Sequence, residues 1–134
     1  MPNSVFEQIK FLGDQLEEGE IENVLLLLSS VKAFLPHLVP LMLDERLRVR
    51  AGVYTLLHEL DHHKIEGLKE IAPLFLPLLQ DVDTRVRGEA LSVLEIIGTA
   101  QELTHITPFL TDENFQLREL AEDATTEIQS RLGY

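Results

Sequence analysis

The sequence contains no cysteine, and this absence excludes several kinds of chemistry. A disulfide framework, a zinc site built from thiolates and a cysteine nucleophile all require that residue. Glycine-rich phosphate loops and the Gly-x-Ser-x-Gly nucleophile elbow are missing as well. Aromatic residues make up only 6% of the chain, which is low for a β-rich domain and ordinary for a helical one. These absences favour a helical protein and give no sign of a cofactor site.

Basic residues are also scarce. The 134 residues include 11 basic and 23 acidic side chains, so the formal net charge is -12. Nucleic-acid binding gains its free energy by neutralising phosphates with Lys and Arg, and this balance works against it. An acidic surface instead favours solubility and a basic protein partner.

Long apolar runs are absent too. The longest run covers residues 24–28, far short of the roughly 20 residues that a membrane-spanning helix needs. The first residues lack the basic start and apolar stretch of a signal peptide. We therefore expect a soluble cytoplasmic protein that does not enter a membrane.

What the sequence does contain is a repeat. Three segments align without gaps around an aspartate, with a proline four residues before it and an arginine six residues after it. Self-similarity at a spacing of a few tens of residues is typical of solenoid proteins. The aspartate and arginine pairs are Asp44 and Arg50, Asp81 and Arg87, and Asp112 and Arg118.

Each copy predicts a helix, a tight turn at the aspartate and a second, amphipathic helix. In the second copy Val86, Ala90, Val93 and Ile97 form one stripe at helical spacing. Aspartate suits the turn because its carboxylate accepts backbone N–H bonds, and Gly98 stands where the second helix should stop. Prolines predict that the first helices are short or kinked. These prolines are Pro36, Pro40, Pro73 and Pro77.

This pattern resembles the HEAT repeat, in which Pro, Leu-Leu, Asp, Val-Arg and Ala recur at these spacings. The short third copy is similar to the compact HEAT-like repeats of bacterial phycobilin lyases. The resemblance implies an all-α, right-handed α-α solenoid of about four antiparallel helix pairs. It also implies that the three aspartates and three arginines form a structural ladder of hydrogen bonds between neighbouring repeats. Proteins of this family are mostly non-catalytic and bind other proteins along a curved surface.

The predicted organisation is a single HEAT-like domain over residues 1–134. Residues 1–33 lack the aspartate and arginine, and we interpret them as an atypical helix pair that caps the stack. The repeats follow at residues 34–62, 68–98 and 101–132.

The exposed face of the second helices is the expected partner-binding surface. Positions ten and fourteen after the aspartate lie off the core stripe and supply apolar, aromatic and charged side chains. Two arginines at equivalent positions could hold a carboxylate or phosphate, or simply balance nearby acids. The predicted partner-binding residues are Tyr54, His58, Leu91, Glu95, Arg48 and Arg85.

The favoured function is thus a non-catalytic scaffold or adaptor, without a cofactor, that binds another protein. The alternative is an accessory subunit or enzyme, either lyase-like with a chromophore or a metal-dependent hydrolase. The hydrolase would use His58, Glu59 and His62, which match the H-E-x-x-H zinc pattern; we expect His62 in the loop after the helix.

The chain is expected to be a monomer or a weak homodimer, because Leu120 could support pairing of two chains or pack against the preceding repeat.

Overall fold

All the regular structure that the protein shows is helical. A computed structural model describes residues 4–133, and no strand occurs among them. The all-α prediction is confirmed, whereas the handedness of the solenoid and its number of helix pairs stay predictions. No helix in this part of the chain is both long enough and apolar enough to cross a membrane. The chain divides into two compact units, Met1–Gly67 and Leu68–Tyr134.

The first unit consists of helices that differ in regularity. Helices α1 (Val5–Glu17) and α2 (Ile21–Ser30) are joined by a short turn and pack against each other. A 3₁₀ segment (Lys32–His37) follows and continues into the single turn of α3 (Leu38–Leu41). The long helix α4 (Leu47–His62) completes the unit and packs against α1 and α2.

Helices α1 and α2 form within the segment for which the sequence predicts an atypical helix pair. The Ser4 hydroxyl accepts a 3.0 Å bond from the backbone N–H of Glu7 and caps α1. Gly19 has a φ of 84° and makes the turn between the two helices. Phe6, near the start of α1, is 77% exposed. The buried side chains of the pair are Leu12, Leu16, Val24 and Leu28.

The second unit repeats a simpler plan twice. A 3₁₀ segment (Lys69–Gln80) precedes helix α5 (Thr84–Ile97). Helix α6 (Ala100–Ile106) continues as a 3₁₀ segment (Thr107–Thr111) and precedes helix α7 (Phe115–Arg131). Helix α5 packs against both α7 and the Lys69–Gln80 segment. The division of the whole chain into a cap and three repeats stays a prediction.

The prolines explain why the first helical segment of this unit is irregular. Pro73 and Pro77 lack the backbone N–H that an α-helix needs, and they interrupt the bonding pattern twice within 69–80. The predicted stop of α5 is also found, because Gly98 follows its last residue and donates a 2.7 Å bond to the Leu94 carbonyl. A Cβ atom on Gly98 would lie 2.4 Å from that carbonyl oxygen. Glycine is needed there for space, since its φ of -65° is open to any residue.

A buried histidine connects the irregular segment of the first unit to α1. His37 is only 7% exposed, and its Nε2 lies 2.8 Å from Oε1 of Gln8. Its ring stacks on Phe34 with a centroid distance of 5.4 Å. Burial lowers the pKa of His37 below its ordinary value, because the charged form loses its hydration.

Candidate protein-binding surface

The three aspartates occupy matching positions in the three turns. Each carboxylate accepts a bond from the backbone N–H two residues later, at 2.9 Å for Asp44, 2.8 Å for Asp81 and 2.8 Å for Asp112. This side-chain-to-backbone bond closes the turn before each second helix. Equivalent residues therefore have one local role, as the spacing predicts.

The three arginines repeat just as closely. Nη1 of each donates to the backbone carbonyl of the aspartate of its own turn, at 2.9 Å for Arg50, 2.7 Å for Arg87 and 2.7 Å for Arg118. It also donates to the carbonyl of the next residue. These bonds hold each turn to the helix that follows it. A ladder running from one repeat to the next stays a prediction.

The first turn differs from the other two at the residue that comes two positions after the aspartate. Asp83 and Asn114 accept backbone N–H bonds and cap α5 and α7, whereas Arg46 precedes α4 and caps nothing. Its guanidinium binds both carboxylate oxygens of Asp44 at 3.0 Å and reaches Asp14 of α1 at 2.9 Å. These bonds join the start of α4 to α1.

This ion cluster changes the titration of both carboxylates. Hydrogen bonds from Arg46 lower the pKa of Asp44, and bonds from Lys10 and then Arg46 lower the pKa of Asp14. Gly13 makes the approach possible, because a Cβ there would lie 3.0 Å from Nη2 of Arg46. Gly13 thus has a packing role in α1.

The predicted surface residues of the first unit lie on α4, and their exposure varies. Arg48 and His58 are exposed, and Tyr54 is half-buried. The Arg48 guanidinium lies beside the turn after α1, since a Cβ on Gly19 would come within 2.9 Å of its Nη2. Arg48 and His58 are therefore accessible to a partner.

The predicted surface residues of the second unit include one error. Leu91 has no exposed surface, so the expectation that it contacts a partner is wrong. It lies one turn beyond Gly88, whose neighbours are Leu117 and Leu120, and it therefore belongs to the side of α5 that faces α7. Glu95 is half-buried, and its backbone carbonyl accepts a 2.7 Å bond from Arg131. Arg85 remains exposed.

A groove runs between α5 and α7, and the sequence interpretation did not find it. The groove encloses about 380 Å³. The two helices come close at Gly88, where a Cβ would lie 3.2 Å from Cδ1 of Leu120. Leu120 thus packs against α5, which is one of the two roles considered for it. The lining residues are Thr84, Arg85, Gly88, Glu89, Ser92, Gln116, Leu117 and Leu120.

No protein-family model matches the chain, and no curated protein matches its sequence. The resemblance to HEAT repeats therefore rests on the chain itself. Membership of that family stays a prediction.

A second cleft of about 380 Å³ lies at the turn edge of the second unit. Besides Gln80, its polar lining residues are Asp81, Arg87 and Asp112, which are turn residues that bond to the main chain. Their hydrogen-bonding capacity is largely used within the turns, so this cleft is the weaker candidate for a binding site.

His62, the last residue of the predicted zinc pattern, lies elsewhere than expected. Helix α4 ends at His62, so His58 and His62 are one turn apart on the helix, and the expectation that His62 lies in the loop is wrong. Both side chains are exposed, and Glu59 lies 3.6 Å from His63. Among residues 4–133 no group of three metal-ligating side chains forms. The two histidines alone do not make a catalytic zinc site, which has three protein ligands.

Proposed function

We propose that this protein is a non-catalytic scaffold that binds another protein through exposed side chains of its second helices, which are α4 in the first unit and α5 and α7 in the second. The observation that carries the proposal is the solvent-open groove between α5 and α7. Helices α5 and α7 form its two sides, and its lining includes Gly88 and the apolar side chain of Leu120. A partly apolar depression with a polar rim is typical of protein-binding surfaces.

The turns support this proposal in a second way. Their bonds fix the start of each second helix, so the surface needs no ligand to form. A surface that is already ordered loses less conformational entropy when a partner binds. The polar side chains on it can then act as specific contacts, while the turn residues remain structural.

Protein capture from a cell extract tests the proposal. The immobilised chain is compared with a variant in which exposed second-helix residues are changed together, Arg48→Ser, His58→Ser and Gln116→Ser. All three side chains are exposed, so the variant should keep its helical circular dichroism. We expect it to retain clearly less of the partner than the unchanged chain.

The matched control changes three exposed residues on the first helical segments, Glu70→Ser, Leu74→Ser and Gln101→Ser. This control should capture the partner as well as the unchanged chain. Equal losses in both variants, or no capture above blank resin, would mean that the second helices are not the binding surface.

A further inference from the structure

Helix α7 carries four acidic side chains that are exposed to solvent. Glu119, Asp123 and Glu127 follow one another at intervals of four residues, so they lie on one side of the helix. Together with Glu122 they are exposed, and among residues 4–133 none of the four has a hydrogen bond or ion pair. Like charges at this spacing repel one another and destabilise a helix.

The two arginines of α7 do not relieve this repulsion. Arg118 donates to the backbone carbonyls of Asp112 and Glu113. Arg131 donates to the carbonyl of Glu95 at 2.7 Å and to that of Gly98 at 2.8 Å. Both cations therefore stabilise main-chain ends, and the carboxylates remain available to a cation from outside.

The acidic side of α7 continues the wall of the groove. Gln116 and Leu120 line the groove, and Asp123 and Glu127 are the next residues of that helical stripe. On the opposite wall, Arg85 binds both carboxylate oxygens of Glu89 at 3.0 Å. The basic residue of the groove is therefore already paired.

We propose that this groove binds a basic segment of the partner, one bearing lysine or arginine. The aliphatic part of such a side chain fits over Leu120 and Gly88, while its charge meets the carboxylates of α7. An acidic peptide would be repelled by those carboxylates. The inference rests on the proposed function, since it names the chemistry of the partner at the same surface.

A direct binding measurement tests the inference. A fluorescein-labelled lysine–alanine peptide is titrated with the full chain, and a glutamate–alanine peptide of equal length serves as the opposite charge. We expect only the lysine peptide to bind, with an affinity that falls as salt rises. Chemical-shift changes should group on Ser92, Gln116 and Leu120.

Substitutions on one helix separate the groove from general attraction to an acidic protein. Gln116→Lys adds a cation to the groove wall and should weaken the lysine peptide by about two- to fivefold, the size measured for exposed ion pairs. Gln129→Lys adds the same charge to another exposed position of α7, outside the groove lining, and should change little. The double variant Asp123→Asn with Glu127→Gln should weaken the lysine peptide to a similar extent as Gln116→Lys.

The charge-matched control for that double variant is Glu70→Gln with Glu113→Gln, two exposed acids outside α7 and outside the groove lining. Equal weakening by all these variants would overturn the groove as the site. Failure of the lysine peptide to bind, while capture from the extract still depends on the second helices, would overturn the basic partner and leave the proposed function standing. Preferential binding of the glutamate peptide would overturn the inference as well.

Discussion

At the scale of single residues, a position that departs from the repeat shows how the first copy is joined to the helix pair before it. Arg46 occupies the position that Asp83 and Asn114 have in the later copies. Those two residues cap their helices, whereas Arg46 bonds to Asp44 and Asp14. The first copy follows a helix pair that lacks the motif, so its turn must join a different neighbour. One substitution in the pattern provides that connection.

Replacing Arg46 by Gln should make the protein more sensitive to acid. The pKa values of Asp44 and Asp14 are lowered in the folded state, so their stabilising effect is present above the ordinary carboxyl range, about 4, and is lost as pH falls through the lowered values. Without Arg46 both pKa values should rise. Carbon-detected NMR titration of the two carboxyl groups measures this directly.

The acid-unfolding midpoint of the Arg46→Gln variant should accordingly move to higher pH. Arg85→Gln is the control, because Arg85 also pairs with carboxylates but lies outside this cluster. An unchanged Asp44 pKa in the Arg46 variant would show that the guanidinium does not control that carboxylate.

Gly98 gives a second prediction at this scale. In Gly98→Ala the new Cβ would lie 2.4 Å from the Leu94 carbonyl oxygen and 2.6 Å from Cδ1 of Ile128. We expect a loss of about 1–3 kcal/mol in the free energy of unfolding, as overpacking typically costs. Gly88→Ala should be close to neutral, because a helix favours Ala and Leu120 can shift slightly. Urea denaturation compares the two, and similar losses would contradict this explanation.

At the scale of the elements, periodicity predicted which segments are helical and where they turn. It could not predict which side of a second helix faces its neighbour. Leu91 and Glu122 occupy equivalent positions, yet Leu91 is buried on the side of α5 that faces α7, whereas Glu122 on the last helix is exposed. The groove was missed for the same reason, since Ser92, Gln116 and Leu120 share no sequence pattern. Gly88, a small residue within a helix, was the one available signal of close approach.

The contact between α1 and the Lys32–His37 segment should depend on pH. The folded state lowers the pKa of His37, so the unfolded state binds a proton more readily. Stability is therefore complete above about pH 6.5 and falls as the pH drops below that value. His37→Gln keeps a hydrogen-bonding partner for Gln8 without a titrating ring.

Urea denaturation at pH 7.5 and 5.5 measures the difference. The unchanged protein should lose more stability between these two pH values than His37→Gln does. The other histidines are exposed and present in both proteins, so their contribution cancels in the comparison. Equal losses would show that His37 titrates as freely in the folded chain as in the unfolded chain.

At the scale of the whole molecule, the structure shows where the charged side chains behind the net charge of -12 lie. The aspartates of the turns bind backbone N–H groups, and the arginines after them bind backbone carbonyls, so both serve the fold. The carboxylates left for a partner are those on exposed faces, above all on α7. Composition alone predicts a basic partner, whereas the groove proposed to receive it follows from how α5 and α7 pack.

Side-chain oxidation by hydroxyl radicals, with and without the purified partner, tests the central claim most directly. Leu120 reports on the groove, while Val82 and Leu74, which are 98% and 45% exposed, report on the turn edge and the first helical segment. We predict that the partner lowers the oxidation of Leu120 and leaves Val82 and Leu74 unchanged. Protection of Val82 or Leu74 with Leu120 still reactive would contradict binding through the second helices.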